Sequence, residues 1–141
     1  MAVRDLNILL VEDDDVDVMN VKRAFKRSNI RNPLYVAKNG LEGLAMLRGE
    51  GTGPVVGQRC MVLLDLNMPR MNGIEFLEAL RQDPDLHAMP VVVLTTSSAE
   101  ADRIDAYRYN VAGYIVKPVQ FDSFAHTMVT LTDYWNLCEL P

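Results

Sequence analysis

The chain has 141 residues, 49% apolar and 23% charged, with 19 acidic against 14 basic side chains and a formal net charge of −5. That is length for one packed core and the composition of a soluble globular protein, and it holds neither the basic cluster that nucleic acid requires nor an apolar run near the roughly 20 residues of a membrane span. The opening MAVRDLNILLVEDDD sets acids where a secretory signal needs small residues, so a cytoplasmic chain is expected, and Cys60 and Cys138, far apart and without C-x-x-C spacing, are expected to be reduced, buried thiols.

Leu6 to Val11 (LNILLV) reads as a strand covered on both faces. Val16, Met19, Val21, Ala24 and Phe25 then recur at helical spacing, with Asp14 or Asp15 as the cap, until Asn29 to Pro33 ends the helix. Leu34 to Ala37 is strand-like, Asn39-Gly40 is a turn, and Leu41 to Arg48 is a helix. Residues 49 to 58 (GEGTGPVVGQ) form a surface loop that lacks the G-K-[ST] of a P-loop. Strands are predicted at Met61 to Asp65, Val91 to Thr95 and Tyr114 to Val116. Helices are predicted at Ile74 to Gln82, Ala99 to Tyr109, and from Phe121 into a C-terminal tail at 133–141. Five strands alternating with five helices predict a doubly wound α/β fold: a five-stranded parallel sheet with helices on both faces, in one domain spanning 1–141.

In such sheets the ligand site lies beyond the carboxyl ends of the strands. The first strand is followed by Glu12 and Asp13, the third ends in Asp65, the fourth in Thr95 and Thr96, and the fifth runs into Lys117-Pro118. A carboxylate ending a buried strand is costly unless solvated, paired or metal-bound. Three together need positive charge, which Lys117 and a divalent cation supply, and hard oxygen donors favour Mg2+ or Mn2+ over zinc. Mg2+ keeps coordination positions for phosphate oxygens, so a phosphoryl group is the natural visitor and Asp65 the nucleophile that forms an acyl phosphate.

The stretches LLVEDDD, LLDLNMPRMNG, VVVLTT and GYIVKP, in that order across nearly the whole chain, resemble the receiver domain of bacterial two-component response regulators. The resemblance implies the flavodoxin-like receiver fold and phosphorylation of Asp65 by a sensor histidine kinase. It implies Mg2+ held by Asp13, Asp65, the Asn67 backbone carbonyl and, directly or through water, Glu12, with Thr95 and Lys117 as catalytic partners. It also implies Thr95 and Tyr114 as the switch pair, a cis bond before Pro118, and an output surface on the fourth helix, fifth strand and fifth helix. DPDL, LTTSSAEAD, the glycine-containing loop and the closing DYWNLCELP resemble the single-domain regulators associated with phytochrome histidine kinases. From that comes an expected homodimer through the tail or last helix, where Tyr134, Trp135, Leu137 and Leu140 make an apolar surface.

A domain of this kind is no conventional enzyme; it catalyses its own phosphorylation and dephosphorylation, and its output is expected through protein contacts. Two rivals remain. An aspartyl-nucleophile phosphatase of the haloacid-dehalogenase kind carries D-x-D after its first strand, whereas the residue two beyond Asp65 is Asn67. A degenerate receiver that only binds partners would not keep Asp13, Asp65, Thr95 and Lys117. Asp14, Asp15 and Asp17 are read as helix-start charges without a further role, Thr96 as a residue governing access to the phosphate, and His87 and His126 as ordinary helix or loop residues.

Overall fold

Alternation along the central strands decides which helix lies on which face. The computed structural model describes residues 6–50 and 59–141, so most of the expected glycine loop lies outside the described residues. The elements run β1 (Asn7–Val11), α1 (Asp15–Arg27), β2 (Leu34–Ala37), α2 (Gly40–Arg48), β3 (Cys60–Leu64), α3 (Gly73–Gln82), β4 (Val91–Thr95), α4 (Glu100–Arg108), β5 (Gly113–Val116) and α5 (Phe121–Leu137). All strand pairs are parallel in the order β2-β1-β3-β4-β5. Leu9, Val11, Val62, Leu64, Val91 and Val93 pack against α2 and α3 through Leu44, Met46, Phe76, Leu77 and Leu80. The alternate residues Ile8, Leu10, Met61, Leu63, Val92 and Leu94 pack on α1 and α5 through Val18, Val21, Phe25, Phe124 and Met128. Side chains pointing both ways are buried, which is why these strands are almost continuously apolar.

The α1 face differs from the expected one. Val18, Val21, Ala24 and Phe25 are buried, whereas Val16 and Met19 are 65% and 64% exposed. At about 100° per residue the buried four share one arc, and Val16 and Met19 fall on the other side. The Asp14 carboxylate caps the helix, accepting from the backbone N–H groups of Val16 (2.8 Å) and Asp17 (3.1 Å). Asn72 and Glu75 form a reciprocal capping box at the start of α3, each side chain accepting the other's backbone N–H at 3.0 Å.

Helix α5 continues through residues 133–137, so the expected tail is helical up to Leu137. Arg59 Nη2 donates to the carbonyls of Asn136 (3.1 Å) and Cys138 (2.9 Å), satisfying groups the helix end leaves unpaired. Asn32 and Asn136 exchange amide hydrogen bonds at 2.7 and 3.2 Å. Trp135 and Leu140 pack on the core, while Tyr134 and Leu137 are exposed.

Of the two thiols only Cys60 is buried; Cys138 is partly exposed. Burial pushes the Cys60 thiol up to about 12, and thiolate is the reactive form. Native protein at pH 8 should therefore take up one equivalent of iodoacetamide, at Cys138, and a second only in denaturant; mass spectrometry of the peptides reads the result.

Candidate functional site

The switch in strand order between β1 and β3 builds the acidic pocket. Val11 and Leu64 are in register, so the residues that follow leave the sheet side by side. The Asp65 N–H donates to the Val11 carbonyl (3.0 Å) and the Glu12 N–H to that of Ala37 (2.9 Å), fixing where both carboxylates begin. Glu12, Asp13 and Asp65 each bring an oxygen within 4.8 Å of the others. Like charges about 4 Å apart repel by roughly 4 kcal/mol at an effective dielectric near 20. The side chains therefore require cations, and one is present in the fold itself.

Lys117 Nζ donates to Glu12 Oε1 (2.5 Å) and Asp17 Oδ2 (3.0 Å). Its backbone N–H is anchored on the Thr95 carbonyl at 2.8 Å, a continuation of the β4–β5 ladder. Burial pushes the Glu12 carboxyl up to about 8, against the pull of Lys117 and with a further push from Asp65. Burial alone would lower the Lys117 ammonium, but Glu12, Asp65 and Asp17 together hold it above the ordinary lysine value. Lys117 is thus the fixed cation of the pocket, and Glu12 the acid whose charge depends on what joins it. The Lys117–Pro118 bond is trans, where the resemblance implies cis; the trans form of X-Pro is favoured by about 0.5–1 kcal/mol.

The oxygens are not equally engaged. Glu12 Oε1 takes Lys117, and Oε2 accepts from the Asp14 N–H at 3.4 Å. Asp65 Oδ1, among the described residues, is buried with no donor at all. An orphaned carboxylate oxygen costs about 1–3 kcal/mol or more, and this one faces a set of hard donors that fits Mg2+ or Mn2+.

Gly73 holds the loop beyond Asp65 in place. A Cβ there would lie 2.6 Å from Leu66 Cα and 2.7 Å from the Asp65 carbonyl, and its N–H donates to the Leu66 carbonyl (3.0 Å). Arg70 and Met71, at φ 57° and 67°, make a left-handed turn that brings the chain back to this contact. Asn67 stands exposed on the loop, two residues past Asp65. Gly73→Ala should lower stability by about 1–3 kcal/mol and weaken divalent-cation binding. Gly113→Ala, whose Cβ would meet nothing nearer than 3.8 Å, should spare cation binding; urea midpoints and Mg2+ titration compare the two.

Thr95 is fully buried at the end of β4. Its Oγ1 accepts from the Ser97 N–H at 3.4 Å, and Tyr114 OH donates to the Ser97 carbonyl at 2.9 Å. Ser97 Oγ in turn donates to Asp102 Oδ2 at 2.5 Å, on the first turn of α4. One residue between strand and helix therefore ties Thr95, Tyr114 and α4 together. Thr96 lines a cleft of about 250 Å3 with Asp17, Arg23 and Lys117.

The family model of the response regulator receiver domain matches residues 8–128. The chain belongs to that family. Similar proteins include the probable methanogenesis regulatory protein FilR2 of Methanothrix harundinacea, 38% identical over 129 residues, or 91% of this chain and 82% of that one. Response regulator Rcp1 of Synechocystis is 36% identical over 128 residues, covering 91% of this chain and 87% of Rcp1. Among solved structures, the phosphorylated cyanobacterial phytochrome response regulator RcpA superimposes with a TM-score of 0.88 at 32% identity, covering 98% of this receiver and 99% of RcpA. The Mn2+-bound form of Rcp1 gives 0.82 at 34% identity, with 98% and 99% covered. The doubly wound parallel sheet expected from the strand and helix pattern, and the flavodoxin-like receiver fold that the resemblance implies, are the ones observed.

The structure brings Glu12, Asp13, Asp65 and Lys117 to one pocket, with Thr95 at the end of the adjacent β4. It links Tyr114 to Thr95 only through Ser97. Two participants were missed. Asp17, read as a helix-start charge, pairs with Lys117 from 100 positions away, and Ser97 carried no signal beyond being a hydroxyl after the strand. The α1 cap at Asp14 was the available clue to Asp17, since it sets Asp17 in the first turn, beside the strand ends.

Proposed function

We propose that this receiver accepts a phosphoryl group on Asp65 from the phosphohistidine of a sensor histidine kinase. The observation that carries the reading is the unpartnered, buried Asp65 Oδ1 among Glu12, Asp13 and Lys117. An Asp65 oxygen attacks phosphorus, the P–N bond to the donor histidine breaks, and the imidazole nitrogen keeps the electron pair. Asp13, Asp65, Glu12 and the Asn67 carbonyl would hold Mg2+. When bound, that ion supplies charge neutralisation and in-line orientation of the phosphoryl oxygens. Lys117 contributes a second positive charge, and Thr95 offers a hydroxyl at the strand end. The added charge favours one of two arrangements of the Ser97 junction, so Thr95 and Tyr114 report it to α4 and β5.

The description of RcpA as a phytochrome response regulator points to a phytochrome as the kinase, and such a partnership places the receiver in the cytoplasm. No helix among the described residues is long and apolar enough to cross a membrane, and the net charge of −5 suits a protein partner better than nucleic acid. Exposed Tyr134 and Leu137 on the last turns of α5 offer a surface for a homodimer; solution mass of the Tyr134→Ser/Leu137→Ser variant tests it.

Incubation with Mg2+ and acetyl phosphate, followed by intact mass measurement, tests the phosphoacceptor reading. One added phosphoryl group, absent when EDTA replaces Mg2+, is expected. Rapid turnover of an organic phosphate ester without a persistent adduct would instead indicate the hydrolase, and an inert chain the degenerate receiver.

A further inference from the structure

The lysine of the pocket is held by two carboxylates, and only one of them belongs to the acidic cluster. Glu12 is buried, with both oxygens engaged. Asp17 stands on α1, its side chain 34% exposed, and reaches Lys117 Nζ from the side of the Asp17–Thr96–Pro118 cleft. The Asp65 oxygen that lacks a donor is thus left without one while the buried ammonium of Lys117 is bonded elsewhere. Two of the three ammonium protons are committed, to Glu12 and Asp17, so Lys117 on its flexible stem can give a newly arrived anion more than one hydrogen bond only by loosening a contact it already has. Asp17 is the contact water can replace; Glu12 is closed off from solvent.

We propose that Asp17 is a positioning residue that retains Lys117 in the resting state, so that phosphoryl arrival at Asp65 must break the Lys117–Asp17 pair. This rests on the phosphoacceptor reading above. The pair exists only before transfer, so Asp17 opposes loading. Once Lys117 has moved to the phosphoryl oxygens, the pair is already broken in both the phosphorylated state and the transition state for its hydrolysis. Loading should therefore depend on Asp17, and the lifetime of the phosphorylated form should not. A partly exposed pair of this kind is worth about a factor of three to five.

Asp15 provides the control. It lies on the same turn, removes the same charge when changed to asparagine, and pairs with Lys38 rather than Lys117. Three readouts are compared for wild type, Asp17→Asn, Asp17→Glu and Asp15→Asn: loading rate against acetyl phosphate concentration with Mg2+, half-life after donor removal, and the Lys117 Nζ resonance in metal-free protein. Asp17→Asn should load about three to five times faster with an unchanged half-life, and bind beryllium trifluoride more tightly by the same factor. Its Lys117 resonance should shift. Asp17→Glu should load at the wild-type rate, and Asp15→Asn should change none of these. The proposal is overturned if Asp17→Asn loads at the wild-type rate, if Asp15→Asn accelerates loading equally, or if the half-life changes in place of the rate. A wild-type chain that takes up no phosphoryl group removes the phosphoacceptor reading, and this proposal with it; a normally loaded wild type beside an unaltered Asp17→Asn removes the retaining role alone.

Discussion

Asp65→Asn should take up no phosphoryl group from acetyl phosphate and Mg2+, and in metal-free buffer it should be more stable than the wild type. Both results follow from one feature. Asp65 brings a carboxylate with a buried, unpartnered oxygen into a cluster with Glu12 and Asp13. Asparagine has nearly the same shape, carries no charge, and offers two N–H donors to the neighbouring carboxylates. Relief of repulsion and of the orphaned oxygen should stabilise by about 1–2 kcal/mol, equivalent to about 3–8 °C in Tm for a domain of this size. Saturating Mg2+ should reverse the order. An ion that binds only the folded state stabilises by about 2.7 kcal/mol at 100 times its Kd, and the variant has lost a ligand for it. Thermal melts of both proteins with EDTA and with excess Mg2+ should therefore cross. Curves that keep the same order in both buffers would contradict an acidic cation site, and phosphorylation of Asp65→Asn would move the acceptor to another residue.

The crossing depends on an arrangement legible in part from the sequence. Apolar runs bounded by turn residues located each strand, because side chains buried on both faces leave no other composition open to β1, β3 and β4. Residues that end those strands must emerge at one edge once the sheet is parallel, so Glu12, Asp65, Thr95 and Lys117 could be placed together from their positions alone. Helix faces were harder. Val16 and Met19 match helical spacing as well as Val18 does, and only the direction in which α1 meets α5 exposes them. The Lys117–Asp17 pair was hidden for a related reason: it joins an early helix to a late loop, and no local pattern records such a contact. Ser97 is a case of chemistry without a signature, since its backbone carbonyl, which any residue possesses, is what Tyr114 OH reaches.

Lys117→Met tests whether the lysine serves the fold, the chemistry or both. Its removal leaves Glu12, 1% exposed, without its cation, and separates Asp17 from its partner. Losing one member of a buried pair costs about 3–5 kcal/mol when the other stays charged. Glu12, already pushed up to about 8 by burial, escapes part of that by keeping its proton, so about 2–3 kcal/mol is the expected loss. The Lys117→Met/Glu12→Gln double variant should recover most of it, because a neutral amide leaves no buried charge behind. Loading should not recover with it. In the proposed transfer the ammonium would stabilise charge on the phosphoryl oxygens, and removal of such a group costs on the order of 100-fold to 1,000-fold in rate. Urea midpoints and loading rates for the two singles and the double separate these contributions. Restored stability beside a loading rate still depressed about 100-fold or more assigns Lys117 a chemical role in addition to its structural one. A double variant that regains both would reduce it to a counter-ion for Glu12.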